Sequence, residues 1–473
     1  MTYAHTYSGT RTREPSPREL EHGRLARRAA AGGIVLLKNT GTLPLDLSAP
    51  VALFGSGASR TVKGGIGSGD VNNRANVSIC QGMKDAGLRL TSENWLEDYE
   101  ARYHAARAAW KQKVLEAARW VENPFDAYAA NPFVLPQGRP IVPQDVQGAA
   151  AAIYVLSRIA GEGKDRRLEK GDYYLSDGEW NDLRTLDRLG LPIVLLINAG
   201  GPVELTDLLD GAVHIEAVLQ LSQLGQEGGH AVADVLLGKA TPEGKLTATW
   251  ARRYTDYPCA ESFSYLDGDL EKAVYREGIY VGYRYFDSFG VQPLFPFGYG
   301  LSYTDFVLRF AGLRTRPDAI EVDVEVENAG ICFSGREVAQ VYISCPQNGG
   351  AKELRRLAGF AKTRLLAPEQ RQTLTICIPQ KQLATFAAQK QGWVVEQGLY
   401  GVWVGNSSAA VTLCAQIRVE ADTLIEQTHP ICPLSQPLDE LGAADAAQKE
   451  AAHPAGLPVY GFCPRPEPRP ECC

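Results

Sequence analysis

No run of about 18 apolar residues occurs in the sequence, so no membrane-spanning helix and no membrane partner are expected. The start, Met1 to Thr10, is polar and is followed by neither an apolar stretch nor a small-residue cleavage site, which leads to the expectation of a cytoplasmic protein. The ten cysteines form no Cys-x-x-Cys pair, and the seven histidines never take a His-Glu-x-x-His spacing. Neither structural zinc nor a catalytic metal is therefore expected, and reduced thiols fit a cytoplasm. Excess positive charge is missing too: 48 Lys and Arg against 55 Asp and Glu leave a net charge of −7. No basic stripe is present to release counterions from a nucleic acid, which excludes that partner class.

Nucleotide-binding signatures are incomplete. Gly55-x-Gly57-x-x-Arg60 fails at the third glycine of the dinucleotide fingerprint. The glycine-rich stretch from Lys63 to Asn72 passes through Gly69-Asp70-Val71, where a phosphate loop needs Gly-Lys-Ser/Thr. Gly65-Ile66-Gly67-Ser68-Gly69 surrounds a serine with glycines but lacks the strand-to-helix setting of a nucleophile elbow. His214 and His230 read as ordinary helix or loop histidines, and no cofactor is expected.

What is present is a change of period along 473 residues, a length that suits two or three domains. A helical pattern runs from Glu19 to Gly32, and Ile34–Leu37 and Val51–Phe54 read as short buried segments. Trp95 to Glu122 looks helical, and the Pro- and Ala-rich stretch from Asn123 to Asp145 reads as a surface crossing. Apolar runs Ala151–Ser157, Ile193–Ile197 and Ala217–Leu221 alternate with helical patterns from Asp177 to Leu189 and from about Glu227 to Leu237. That order implies an α/β domain over about 1–250 with a mostly parallel, doubly wound sheet.

Residues 251–305 are rich in Tyr, Gly and Pro and read as an irregular connector packed on that domain. Tyr283, Tyr285, Phe286 and Phe289 could stack on a sugar, but packing is the commoner fate of such clusters. From Phe306 the period becomes two, most clearly in Val322-Asp323-Val324-Glu325-Val326. An all-β sandwich of immunoglobulin or fibronectin type is expected over about 306–419. Residues 420–473 have the Ala- and Pro-rich composition of a linker or disordered tail.

The most chemical segment is Gly161-Glu162-Gly163-Lys164-Asp165-Arg166, directly after the run Ala151–Ser157. Ligands of open α/β sheets bind beyond the carboxyl ends of strands. Flanking glycines let the backbone turn sharply and approach a ligand. Glu162 so placed suits a general acid; the same hexapeptide also suits a surface turn with a solvated carboxylate.

Together these stretches resemble the C-terminal part of glycoside hydrolase family 3, the β-glucosidases and related exo-acting glycosidases. The resemblance is carried by Ala29–Asn39, Lys63–Val71, Ser157–Arg166, Lys170–Ser176, Gly238–Leu246, Glu277–Asp287 and Pro296–Thr304. It implies an α/β sandwich followed by a fibronectin type III-like domain, and a retaining mechanism on a β-linked glucoside or short oligosaccharide. In the family one carboxylate is an Asp nucleophile on a TIM barrel, and the other is an acid/base Glu that matches Glu162 here. Two such groups stand about 5–5.5 Å apart across the glycosidic bond. Ser68 and Asp70 match a second loop that leans over the sugar. Asp165 and Arg166 are expected to brace the catalytic loop, because an adjacent Asp–Arg pair readily satisfies local backbone and side-chain groups. No barrel of eight β/α units fits into the pattern. The order resembles the front half of an inverted enzyme. That leaves a truncated frame, a half-enzyme paired with a separately encoded or downstream TIM-barrel half, or a non-catalytic carbohydrate-binding or interaction module.

Overall fold

The computed structural model describes residues 12–66, 69, 71–161, 166–263, 266, 271, 274–348, 352–432, 438–442, 445–446 and 456–466. The chain divides into two compact units, Met1–Gly244 and Lys245–Cys473. No described helix is long and apolar enough to cross a membrane.

The first unit begins with helix α1 (Pro17–Gly33), whose start is fixed by a capping box. The Ser16 amide donates to the Glu19 carboxylate at 2.7 Å, and the Glu19 amide donates back to the Ser16 hydroxyl at 3.3 Å. Five strands follow: β1 (Val35–Asn39), β2 (Val51–Phe54), β3 (Ala151–Ser157), β4 (Ile193–Asn198) and β5 (Ile215–Gln220). They form one sheet in the order β1-β5-β4-β3-β2. The four strands from β2 to β5 are parallel, and β1 closes one edge antiparallel to β5. Every residue of β2, β3 and β4 is buried, as expected of strands covered on both faces.

The connecting helices are α2 (Ile79–Asp85), α3 (Glu93–Ala117), α4 (Pro124–Ala130), α5 (Asp177–Arg188) and α6 (Gly228–Leu236). Helix α5 packs on β3 and β4, while α6 packs against α1 and α2. Gly82 and Gly229 allow α2 to meet α6 closely: a Cβ on Gly229 would stand 1.9 Å from the Ser78 carbonyl oxygen. His230 joins the same two helices through Glu227 at 2.7 Å and Asp85 at 3.0 Å. The Pro- and Ala-rich surface crossing contains α4, whose Asn123 cap accepts from the Phe125 amide.

In the second unit, helix α7 (Tyr283–Phe289) precedes a set of antiparallel strands. β6 (Phe306–Thr315), β7 (Ala319–Asn328) and β10 (Arg371–Pro379) form one sheet in the order β10-β7-β6. β8 (Val338–Ser344), β9 (Arg356–Lys362), β13 (Gly398–Gly405), β14 (Val411–Val419) and β16 (Val459–Gly461) form a second, ordered β16-β14-β13-β8-β9. A small third sheet joins β11 (Thr385–Ala387), β12 (Gly392–Val395) and β15 (Thr423–Gln427). In β7, Ile320, Val322, Val324 and Val326 enter a core shared with Val341, Ile343, Ile376, Val402 and Ile417. The alternate residues Glu321, Asp323, Glu325 and Glu327 face Arg309, Arg314, Arg316 and Arg371.

Segment 251–305 falls in the second compact unit, where the Leu357 amide donates to the Tyr283 hydroxyl at 2.7 Å and the Leu354 amide donates to the Ser288 hydroxyl at 2.9 Å. Gln340 of β8 donates to the Gly298 carbonyl at 3.2 Å. The tail differs from the sequence reading, because its described residues include two strands. β15 pairs with β12, β16 pairs in parallel with β14, and Phe462 is buried in the sandwich core. Short apolar groups in a Pro-rich context suffice for edge pairing, and composition averages over them.

Candidate active site

The parallel strands end at Phe54, Ser157, Asn198 and Gln220, and the loops that leave them are tied to one another. Asn198 is fully buried at the end of β4. Its side-chain oxygen accepts from the Val62 amide at 2.7 Å and from the Ser157 hydroxyl at 3.2 Å. Its side-chain nitrogen donates to the Val62 carbonyl at 2.9 Å and the Ser222 carbonyl at 2.8 Å. One amide thus fills all its hydrogen-bonding positions with two loops and the end of β3, the arrangement that a buried polar group requires. The carbonyl of the same residue accepts from the Arg158 amide at 3.1 Å.

The two loops singled out from sequence also meet. The Ile66 amide donates to the Ala160 carbonyl at 3.1 Å, and Ile66 bridges Gly161 in parallel register. Gly161 is glycine for this contact: a Cβ there would lie 1.8 Å from Ile66 Cγ1. Gly57, in the loop after β2, is similarly constrained, because a Cβ would lie 2.0 Å from the Ser157 hydroxyl oxygen. Close approach of one loop to another, rather than of a ligand, accounts for both glycines. The Gly225 amide completes the set by donating to the Lys63 carbonyl at 2.9 Å.

Glu162, Asp165, Ser68 and Asp70 lie outside the described residues. Glu162 directly follows Gly161 in the chain, and Ser68 stands two positions beyond Ile66. Arg166 is described. It donates to the Asp172 carboxylate at 2.5 Å, to the Asp172 carbonyl at 2.7 Å and to the Pro202 carbonyl at 2.8 Å. The structure thus joins the backbones that flank the two candidate loops and engages Arg166 with protein atoms.

Behind the loops lies a buried ion pair. Arg158 follows β3 directly and grips the Glu179 carboxylate with both terminal nitrogens, at 2.7 and 2.9 Å. Glu179 also completes the capping box of α5: its carboxylate accepts from the Ser176 amide at 2.7 Å. Nearby, Asp182 accepts from the Tyr154 hydroxyl at 3.0 Å and from Gln137 at 3.2 Å. Burial raises its carboxyl to about 7, partly offset by the Tyr154 hydrogen bond and reinforced by the Glu179 charge. Asp182 sits beneath β3, not among the loops, and so belongs to the support of the site.

Sequence reading missed Asn198, Asp172 and Arg158. A polar residue ending an apolar run before Ala199-Gly200-Gly201-Pro202 was the available sign for Asn198. The tyrosine cluster of α7 is packed. Tyr283 stacks on Phe297 at 4.8 Å, and Tyr285 stacks on Phe289 at 4.5 Å. Among the described residues no group of three His, Cys, Asp or Glu side chains could hold a metal ion.

Comparison with known proteins adds the family. Residues 34–303 match the Glycosyl hydrolase family 3 C-terminal domain, and residues 337–408 match the Fibronectin type III-like domain. A β-glucosidase of Ruminococcus albus is 34% identical over 423 residues, covering 86% of this chain and 42% of that protein. Beta-glucosidase A of Butyrivibrio fibrisolvens is 32% identical over 502 residues, covering 94% of this chain and 57% of its own length. The solved structure of β-glucosidase 3B from Thermotoga neapolitana with glucose superposes with a TM-score of 0.74 at 36% identity, covering 86% of this chain and 55% of that one. A β-glucosidase from Paenibacillus barengoltzii gives a TM-score of 0.77 at 33% identity, covering 88% and 45%. The chain therefore spans about half the length of the curated relatives it matches.

Proposed function

Because the chain belongs to glycoside hydrolase family 3, we propose that it is the acid/base-bearing half of a retaining β-glucosidase. Glu162 protonates the glycosidic oxygen as it leaves. It then deprotonates the water that releases glucose from the enzyme. The nucleophile comes from a barrel outside these two units. Ser68 and Asp70 line the sugar site, and Asp165 and Arg166 brace the loop of Glu162. The substrate is a β-linked glucoside or short oligosaccharide, in keeping with a relative solved with glucose.

The observation that carries this reading is the Ile66–Gly161 bridge beyond the carboxyl end of β3. It sets the backbone before Ser68 against the backbone before Glu162, in the position where open α/β sheets bind ligands. The test is release of nitrophenol from a nitrophenyl β-glucoside, by this chain alone and by the chain combined with a family 3 barrel. The chain alone should be inert, since protonation without a nucleophile forms no glycosyl-enzyme. The combination should be active, and Glu162→Gln should lower its rate by about 10²–10⁴-fold. An unchanged rate on Glu162→Gln would place the acid elsewhere. Glu162-dependent turnover by the chain alone would instead require a second carboxylate within these units.

A further inference from the structure

We infer that Asp172 is a positioning residue for the acid/base loop, acting as a clamp on both of its ends; this rests on the assignment of Glu162 above. The clamp uses two different groups of one residue. The backbone carbonyl of Asp172 accepts from Arg158 Nε at 2.6 Å and from Arg166 Nη2 at 2.7 Å. Arg158 stands four residues before Glu162 and Arg166 four residues after it. The side-chain carboxylate of Asp172 accepts from Arg166 Nε at 2.5 Å and from the Arg167 amide at 2.6 Å. Both ends of the segment from 158 to 166 therefore converge on a single peptide unit.

Two guanidinium groups pointing at one carbonyl would repel each other if left uncompensated. Each has its own carboxylate: Glu179 for Arg158 and Asp172 for Arg166. Arg158 is buried, and its remaining donors reach the Ser157 and Tyr174 carbonyls at 2.9 and 3.3 Å. Arg166 continues to the Pro202 carbonyl in the loop after β4. The clamp is thus fixed to β3, to the first turn of α5 and to the neighbouring loop. Charge-assisted hydrogen bonds are short and directional, and they hold geometry better than a surface turn does. A general acid needs such support, because a misplacement of about 1 Å can cost about 10²-fold in rate.

Two readouts separate a clamp from a positioning role. Trypsin cuts after Lys164, Arg166 and Arg167, so cleavage of the isolated chain there reports opening of the loop. Asp172→Asn removes the charge that holds Arg166 and should raise the cleavage rate by about tenfold or more, the equivalent of one hydrogen bond to a charged group. Asp172→Glu should restore part of the protection. Equal cleavage in wild type and Asp172→Asn would overturn the clamp.

The second readout uses the chain combined with a family 3 barrel. Asp172→Asn should lower kcat by roughly 10²-fold on a glucoside with a poor leaving group, with KM nearly unchanged. On dinitrophenyl β-glucoside, whose leaving group needs no proton, the loss should be much smaller. Equal losses on both substrates would overturn positioning and leave Asp172 a purely structural residue. Glu162→Gln run in parallel keeps the two claims apart. Leaving-group dependence in Glu162→Gln but not in Asp172→Asn refutes only the inference about Asp172. Its absence in Glu162→Gln refutes the acid assignment, and the inference about Asp172 with it. Should Asp172→Asn fold poorly, Arg166→Lys keeps the charge opposite Asp172 but loses the fork to its carbonyl, and should show the same substrate split.

Discussion

In the α/β unit, Ser157, Arg158, Glu179 and Asn198 are buried at or just beyond the carboxyl ends of β3 and β4, and their partners lie in several different loops. In the β-sandwich unit, Glu337, Gln340, Lys352 and Glu353 are equally buried. There they tie the connector and turns to the antiparallel strands of the sandwich. Lys245 pairs with Glu337 at 2.7 Å, Lys352 pairs with Glu396 at 2.5 Å, and Gln340 holds the Gly298 and Asn406 carbonyls. Buried charge alone therefore does not mark a site. Fully satisfied polar groups that gather loops at the carboxyl ends of parallel strands do, because ligands of open α/β sheets bind there and irregular backbone is held in one geometry.

The contrast can be broken most severely at the ion pair. Arg158→Met leaves the Glu179 carboxylate buried without its partner and should destabilise the protein by about 3–5 kcal/mol. The midpoint of urea unfolding, read with an unchanged m-value, measures it. A loss below 1 kcal/mol would mean that water reaches Glu179 and that the site edge is not a dry network.

Asp182 supplies the next test. Its folded pKa of about 7 lies above the unfolded carboxyl value near 3.8. Between those limits the folded protein holds a proton that the unfolded chain releases, so this group's contribution falls as pH rises from about 4 to 7 and is constant above. Asp182→Asn removes the titration. The variant should gain stability relative to wild type across that window, on the order of a few kcal/mol by pH 8. Unfolding at pH 4.5 and pH 8 checks the sign. A gap that stays constant between the two would show that Asp182 is ionised in the fold.

Two smaller effects compare the units directly. Gly57→Ala places a methyl against the Ser157 hydroxyl and Val155, and overpacking should cost roughly 1–3 kcal/mol. Calorimetric melting is a sufficient measurement. Arg314→Gln, on β6, removes surface pairs to Glu321 and Asp323 of the neighbouring β7. No shift in melting temperature should be resolvable, since salt and water already screen such pairs. A clear loss would place the ladder, not the apolar face beneath it, among the causes of sandwich stability.

The same contrast explains what could be read from sequence. The alternation of Val322, Val324 and Val326 with Asp323 and Glu325 announces β7, because one face is wet and the other is core. β3 and β4 are buried on every residue, so only their apolar runs and intervening helices reveal them. The antiparallel edge strand β1 carries no sign of its direction, which is set by tertiary pairing with β5. β15 and β16 are short strands inside Pro- and Ala-rich composition and were hidden by it. In the site, a glycine-flanked carboxylate after a strand was legible as chemistry. Asn198 was not, because its loop partners Ser222 and Val62 lie 24 and 136 residues away and meet only in the fold. Asp172 was not, because Arg158 and Arg166, 14 and 6 residues before it, turn onto it only once the loop is formed.

The most direct measurement of the central claim is the reaction of Glu162→Gln with azide, in the chain combined with a family 3 barrel. Glutamine keeps the shape of the side chain and removes its proton. A glycosyl-enzyme formed from dinitrophenyl β-glucoside should then accumulate, since no base activates water. Azide needs no base, so it should raise turnover and yield the β-configured glucosyl azide. Turnover equal to wild type, with no azide product at any concentration, would contradict the assignment of Glu162 as the acid/base.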